Sequence, residues 1–224
     1  MKKLVITFIS ISVGASLLLA AKSASTPVQE NTGEGFYLGA GFGASLYNMT
    51  LAKSEYKLDD GTYTFDTADL NENDTGYLFY AGYQINKIIG VEASYTNYGT
   101  FSKDKFAKTY SQTPKSIAAY ANAGYTFLNG QLRPFGLLGL GYLQKNQSKD
   151  YKDILDIKDD IVTVHYGMGV EYYPTVLKGL GFRASYTGDS HAQGNYDASD
   201  NNTTQSTSLW QNYGLFYIGA QYKF

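Results

Sequence analysis

The chain has 224 residues, a formal net charge of −2 and no cysteine. This composition excludes disulfide staples and thiolate metal or redox sites, and supplies no basic field for nucleic acid. Glycine (24) and tyrosine (22) are both abundant for an ordinary globular domain, while only 17% of residues are charged.

Chain order begins with a targeting signal. Met1-Lys2-Lys3 is basic, Leu4 to Ala21 is apolar, and the small residues Ala21, Ser23, Ala24 and Ser25 follow. That succession predicts a signal peptide over 1–23, cleaved after Ser23 or Ser25. A retained membrane anchor is the other reading of the same segment. Cleavage removes Lys2, Lys3 and Lys22 and makes the mature chain more acidic. Residues 24–34 read as a polar lead-in.

From Gly35 onward the sequence alternates with period two, as strands do when successive side chains face opposite sides. Eight such segments are predicted: Gly35–Tyr47, Thr75–Ile85, Ile89–Asn97, Ser116–Phe127, Leu132–Leu143, Val162–Tyr173, Gly179–Thr187 and Gln211–Phe224. In the sixth, Val162, Val164, Tyr166, Met168, Val170 and Tyr172 oppose Thr163, His165, Gly167, Gly169 and Glu171. Long polar connections (48–74, 98–115, 144–161, 188–210) alternate with short ones (86–88, 128–131, 174–178). The prediction is an all-β fold, an eight-stranded antiparallel up-and-down transmembrane β-barrel over 35–224.

Alternation alone does not say which face is outside, because a soluble ligand-carrying barrel alternates too. Charge placement decides. The eight segments carry Glu92, Arg133, Glu171, Arg183 and Lys223, all opposite the apolar face. A face of Gly, Ser, Thr and Tyr with these five charges suits a narrow lumen. About ten residues at ~3.3 Å each, tilted ~40°, rise ~25 Å, the height of the apolar band of such barrels. Aromatics on the apolar face fall into two girdles, as expected at the two membrane interfaces. Tyr77, Phe79, Tyr142, Tyr186 and Trp210 form the outer one. Phe36, Tyr83, Tyr125, Phe127, Tyr172, Tyr222 and Phe224 form the periplasmic one.

The opening Gly35-Phe36-Tyr37-Leu38-Gly39-Ala40, the segments Ala81-Gly82-Tyr83-Gln84-Ile85-Asn86, Gly90-Val91-Glu92, Arg133-Pro134-Phe135-Gly136, Gly139-Leu140-Gly141-Tyr142 and Gly169-Val170-Glu171-Tyr172, and the final Tyr222-Lys223-Phe224 together carry a resemblance. The chain resembles the OmpA-like outer-membrane β-barrel family, including opacity-type surface proteins. The resemblance implies that Tyr222 and Phe224 form the signal read by the outer-membrane assembly machinery. It also implies an internal carboxylate–Arg/Lys network for Glu92, Arg133, Glu171, Arg183 and Lys223. No segment for a peptidoglycan-binding domain follows the barrel in this sequence, so the wall-tethering role of full-length relatives is not carried over.

Three candidate chemistries compete with a structural role. The five lumen charges are expected to satisfy one another as a buried plug, with Tyr37, Tyr80, Tyr120, Phe135, Tyr173, Tyr213 and Tyr217 filling the rest. The resemblance extends to barrel enzymes that modify lipid A with His and Ser or Asp, but His165 faces the lumen with Thr163, away from the lipid side, and His191 lies beside Ser190 and Asp189 in a loop. Sequence-adjacent residues rarely make a triad, and no catalytic residue is assigned. The acids Asp59, Asp60, Asp150, Asp153, Asp156, Asp159 and Asp160 lack EF-hand spacing. No metal or cofactor is expected. The loop 188–210 reads as mobile polar surface.

The expected function is a structural or surface-interaction role, adhesion or envelope integrity, through four extracellular loops in a Gram-negative outer membrane. A narrow channel for ions or small solutes is the first alternative, and a lipid A-modifying enzyme the second. Expected partners are outer-membrane lipid and lipopolysaccharide, the assembly machinery, and host or surface ligands. The barrel is expected to be a monomer.

Overall fold

A computed structural model describes residues 34–51, 54–58, 61–65, 70–105, 108–147, 160–200 and 203–224. The signal segment, residues 24–33 of the lead-in and the acids Asp59, Asp60, Asp150, Asp153, Asp156 and Asp159 lie outside the described residues. Among the described residues there are twelve strands: β1 Gly35–Leu51, β2 Ser54–Leu58, β3 Gly61–Phe65, β4 Leu70–Gln84, β5 Ile89–Asn97, β6 Phe101–Lys105, β7 Lys108–Gln112, β8 Lys115–Gly124, β9 Leu132–Gln144, β10 Asp160–Tyr172, β11 Leu180–Asp200 and β12 Thr203–Lys223.

Eight of them close a barrel. The order is β1-β4-β5-β8-β9-β10-β11-β12, with every neighbour antiparallel, and β12 returns to pair with β1 from Tyr37↔Lys223 to Leu51↔Leu209. Closure removes sheet edges, which a hydrocarbon environment does not tolerate. Among the described residues no helix is long and apolar enough to cross a membrane. The period-two pattern translates directly into two faces. On β5, Glu92, Ser94 and Thr96 are buried while Val91 and Ala93 face outward. On β9, Arg133, Phe135 and Leu137 are buried while Leu138, Leu140 and Tyr142 are exposed. The exposed aliphatic face is the surface that lipid covers.

Tight turns sit at the end where Gly35 and Phe224 lie. Asn86 shapes the first, its Oδ1 accepting hydrogen bonds from the backbone N–H of Ile88 and Ile89, each 2.8 Å. The second places Leu128, Asn129 and Gly130 at positive φ (51°, 54° and 90°). The strand predicted to reach Phe127 therefore stops at Gly124, and Phe127 keeps only an isolated bridge to Leu132.

The larger departure is at the other end. Of segment 188–210, expected to be a mobile loop, residues 188–200 and 203–210 form a ladder. β11 and β12 stay paired out to Asp200↔Thr203, with one irregularity between Gln193 and Tyr196. β2 adds to β12 through Ser206↔Glu55 and its neighbours, and β3 adds to β2. β6 and β7 form a separate hairpin. The polar composition of these stretches suggested loops, but a ladder already running offers each added residue a backbone partner, which outweighs weak β-propensity.

Candidate functional site

The lumen is the place where chemistry-bearing side chains converge. Its periplasmic half holds a charge cluster to which every barrel strand contributes. Arg183 on β11 forks onto Glu92 of β5, Nη1 to Oε2 at 2.9 Å and Nη2 to Oε1 at 3.0 Å. Nη2 also donates to Glu171 Oε1 on β10 at 2.5 Å. Arg133 on β9 pairs with Glu171 Oε2 at 3.4 Å and donates to the Ile88 carbonyl at 3.1 Å. Glu92 further accepts from Tyr37 of β1 at 2.9 Å, from Tyr120 of β8 at 3.3 Å, and from Asn122 of β8. The guanidinium of Arg183 lies between the rings of Tyr80 (β4) and Phe135 (β9), 4.2 and 4.7 Å from their centroids. Tyr80 donates to Gln221 of β12 at 3.0 Å, and Gln221 donates to Tyr173.

Two arginines and two carboxylates thus face one another in a buried site, and Glu92 and Arg133 also bond outside the ion pairs. Buried charges persist only under such pairing. Glycine makes the room: a Cβ on Gly39 would collide with the Tyr80 ring, and one on Gly82 with the Tyr37 ring. Arg183 stands in one cross-strand row with Glu171 and Arg133. Lys223, the fifth sequence candidate, is half-buried at the rim opposite Tyr37.

A second cluster lies further out, and sequence reading missed its centre. Asp189 on β11 is fully buried and accepts from Thr163 at 2.6 Å and Tyr98 at 2.7 Å. His165 Nδ1 is 3.2 Å from the same carboxylate, and its Nε2 is 2.8 Å from Thr187 Oγ1. Asp189 was weighed with His191, its near neighbour in sequence, yet the register sets it opposite His165. Thr187, His165 and Asp189 follow the order of nucleophile, base and orienting acid. Here Thr187 is 1% exposed and the Tyr120 ring stacks 4.5 Å from the imidazole. The cluster ties β10, β11 and Tyr98 together, with the Tyr120 ring of β8 against it.

A third, aromatic layer closes the outer mouth. Tyr47, Phe101 and Tyr213 pack with centroids 4.8–6.4 Å apart, and Tyr213 donates to Gln112 at 3.1 Å. Lys145 and Gln211 are fully buried among the surrounding residues, and His191 stacks on Tyr213 at 6.3 Å. Of the inward rings named from sequence, Tyr37, Tyr80, Tyr120, Phe135, Tyr213 and Tyr217 are buried and Tyr173 is half-buried.

The outward residues fall on the lipid face. Phe36, Tyr77, Phe79, Tyr125, Phe127, Tyr142, Tyr172, Trp210, Tyr222 and Phe224 are exposed, and Tyr83 and Tyr186 half-exposed. Among the described residues no group of His, Asp and Glu is spaced to hold a metal ion.

The sequence model of the outer membrane protein beta-barrel domain matches residues 14–224. The chain belongs to this outer-membrane β-barrel family. Membership places the barrel across the outer membrane, and the layout of long and short connections then puts the long ones outside the cell. Among solved structures, OprG from Pseudomonas aeruginosa is 18% identical, with a TM-score of 0.50, covering 88% of this chain and 99% of OprG. Neisserial surface protein A is 18% identical at a TM-score of 0.47, covering 86% of this chain and 99% of that one. Ail of Yersinia pestis, solved with the heparin analogue sucrose octasulfate, is 20% identical at 0.37, covering 81% and 99%. At this identity the likeness to OprG shows the shared outer-membrane barrel fold. No curated protein matches the chain.

Proposed function

We propose that this outer-membrane barrel works at the cell surface, as an adhesion or envelope-integrity protein, and that its resting lumen does not conduct. The observation that carries this reading is the continuation of the sheet beyond the membrane. Crossing takes about 9–11 residues per strand, yet β11 and β12 each have 21 and remain paired to their tips. Hairpin β2–β3 widens that outer sheet, so the extracellular side is a built surface. The filled lumen supports the second half of the proposal, since an eight-stranded barrel has room for little more than its own side chains. Host or surface ligands, acting on a monomer, are the partners proposed.

The test is a strain displaying the protein, compared with a variant in which residues 194–206 are replaced by a two-residue Asn-Gly turn. Cell or matrix binding should be lost while the amount of folded barrel is unchanged. In a planar bilayer the wild-type protein should give rare or no steps. Persistent porin-sized conductance would establish the channel reading instead, and altered lipid A in a deletion strain would establish the enzyme reading.

A further inference from the structure

The lipid-facing wall carries a depression of about 460 Å³ across β1, β4 and β5. Its floor is the outward pair Ala81↔Ala93, with Leu38 beside Ala81. Toward the periplasm it is rimmed by the row Phe36, Tyr83 and Val91, in which the Phe36 and Tyr83 rings lie 4.6 Å apart. The next row outward carries Phe79 and Tyr95. Two small side chains between bulky rows leave a hollow in a wall that is otherwise covered by lipid.

We propose that this hollow binds one acyl chain of a phospholipid of the periplasmic leaflet, with the lipid phosphate held at Lys87. Three features support that occupant. The hollow is continuous with the surface that faces lipid, and hydrocarbon that fails to enter it forfeits the contacts of both walls. Its volume lies within the range of small-molecule sites, about 300–1,000 Å³. Its depth fits: Ala93 is five residues along β5 from Ile88, which at ~3.3 Å per residue and ~40° tilt is ~13 Å above the turn. That is inside one leaflet of a hydrocarbon core ~30 Å thick. At the foot of the hollow stands the β4–β5 turn, and exposed Lys87 is at its centre, midway in sequence between the rim residues Tyr83 and Val91. A lysine at this level keeps its ammonium in the head-group layer, where phosphate is the available counter-charge. Lipopolysaccharide occupies the opposite leaflet and does not reach this site.

The experiment uses the full mature barrel extracted from membranes into mild detergent, folded state checked by heat-dependent gel mobility. Bound phospholipid is counted by phosphorus assay and mass spectrometry of the extract. Wild-type protein should retain about one phospholipid per barrel. Ala81→Leu with Ala93→Leu fills the hollow and should lower retention at least fivefold, while Ala184→Leu, the same change on the lipid face of β11, should leave it unaltered. Lys87→Glu should lower retention at least threefold with the hollow intact. If the double variant folds poorly, Ala93→Val must still give a partial loss. Equal retention in all variants, equal loss in Ala184→Leu, or recovery of a fatty acid or detergent in place of a phospholipid overturns the proposal.

Discussion

Arg183 shows how one side chain organises a lumen. It is 2% exposed, forked onto Glu92, bonded to Glu171 and sandwiched between two rings. Its removal leaves Glu92 buried without an ion-pair partner and Glu171 with Arg133 alone, a loss of about 3–5 kcal/mol where the site is dry. Arg183→Ala should therefore unfold in detergent at clearly lower temperature or denaturant than wild type. Lys178→Ala, exposed in a periplasmic turn, should stay within about 0.5 kcal/mol; equal effects of the two would mean that the network contributes little. Arg183→Lys should recover part of the loss, because an ammonium keeps the charge but cannot fork. Much of this cluster was legible in the sequence, since charges confined to one face of eight alternating segments have only the lumen to occupy. The His165–Asp189 contact was not. Its signal lay in the register across the short turn: Tyr172↔Phe182, continued outward, sets His165 opposite Asp189. Ending the seventh strand at Thr187 hid that pairing, because a residue assigned to a loop has no cross-strand partner.

At the scale of elements, the outer strands are the feature that composition concealed. Segments rich in Asn, Ser, Thr and Gln carry no hydrophobic alternation to mark them as strands, and the ladder extending from the membrane holds them in strand form. The barrel strands themselves were readable because lipid demands an apolar face of every one. Protease added to intact cells should cut within 48–74, 98–115, 144–161 or 188–210 and spare the strands between them. Cleavage at 86–88 or 128–131 in intact cells would invert the topology. The last strand carries a separate expectation. Tyr222 and Phe224 face lipid, their rings 5.2 Å apart, and the Phe224 N–H bonds the Phe36 carbonyl at 2.9 Å. Deleting Phe224 removes one closing hydrogen bond, a net change of about 1 kcal/mol. Refolding of purified protein into detergent should therefore proceed, while the amount of folded protein in cells falls sharply. Normal cellular levels in the deletion would exclude an assembly role for this residue.

At the scale of the whole molecule, the seam between β1 and β12 is an antiparallel ladder like every other joint of the wall. Geometrically the sheet is a ring, and which strand comes first is a matter of where the chain was cut. Gly35 and Phe224 lie at one rim; a Cβ on Gly35 would be 3.1 Å from the Phe224 carbonyl. A short linker can therefore join them, and the chain can be opened instead at the turn around Asn129. Such a circular permutant preserves every pairing, so it should refold in detergent with the heat-dependent mobility of the parent. It also buries the Tyr222–Phe224 motif in mid-sequence. If that motif is read only at a chain end, the permutant will refold in a test tube and fail to reach the outer membrane, separating the information that shapes the barrel from the information that delivers it.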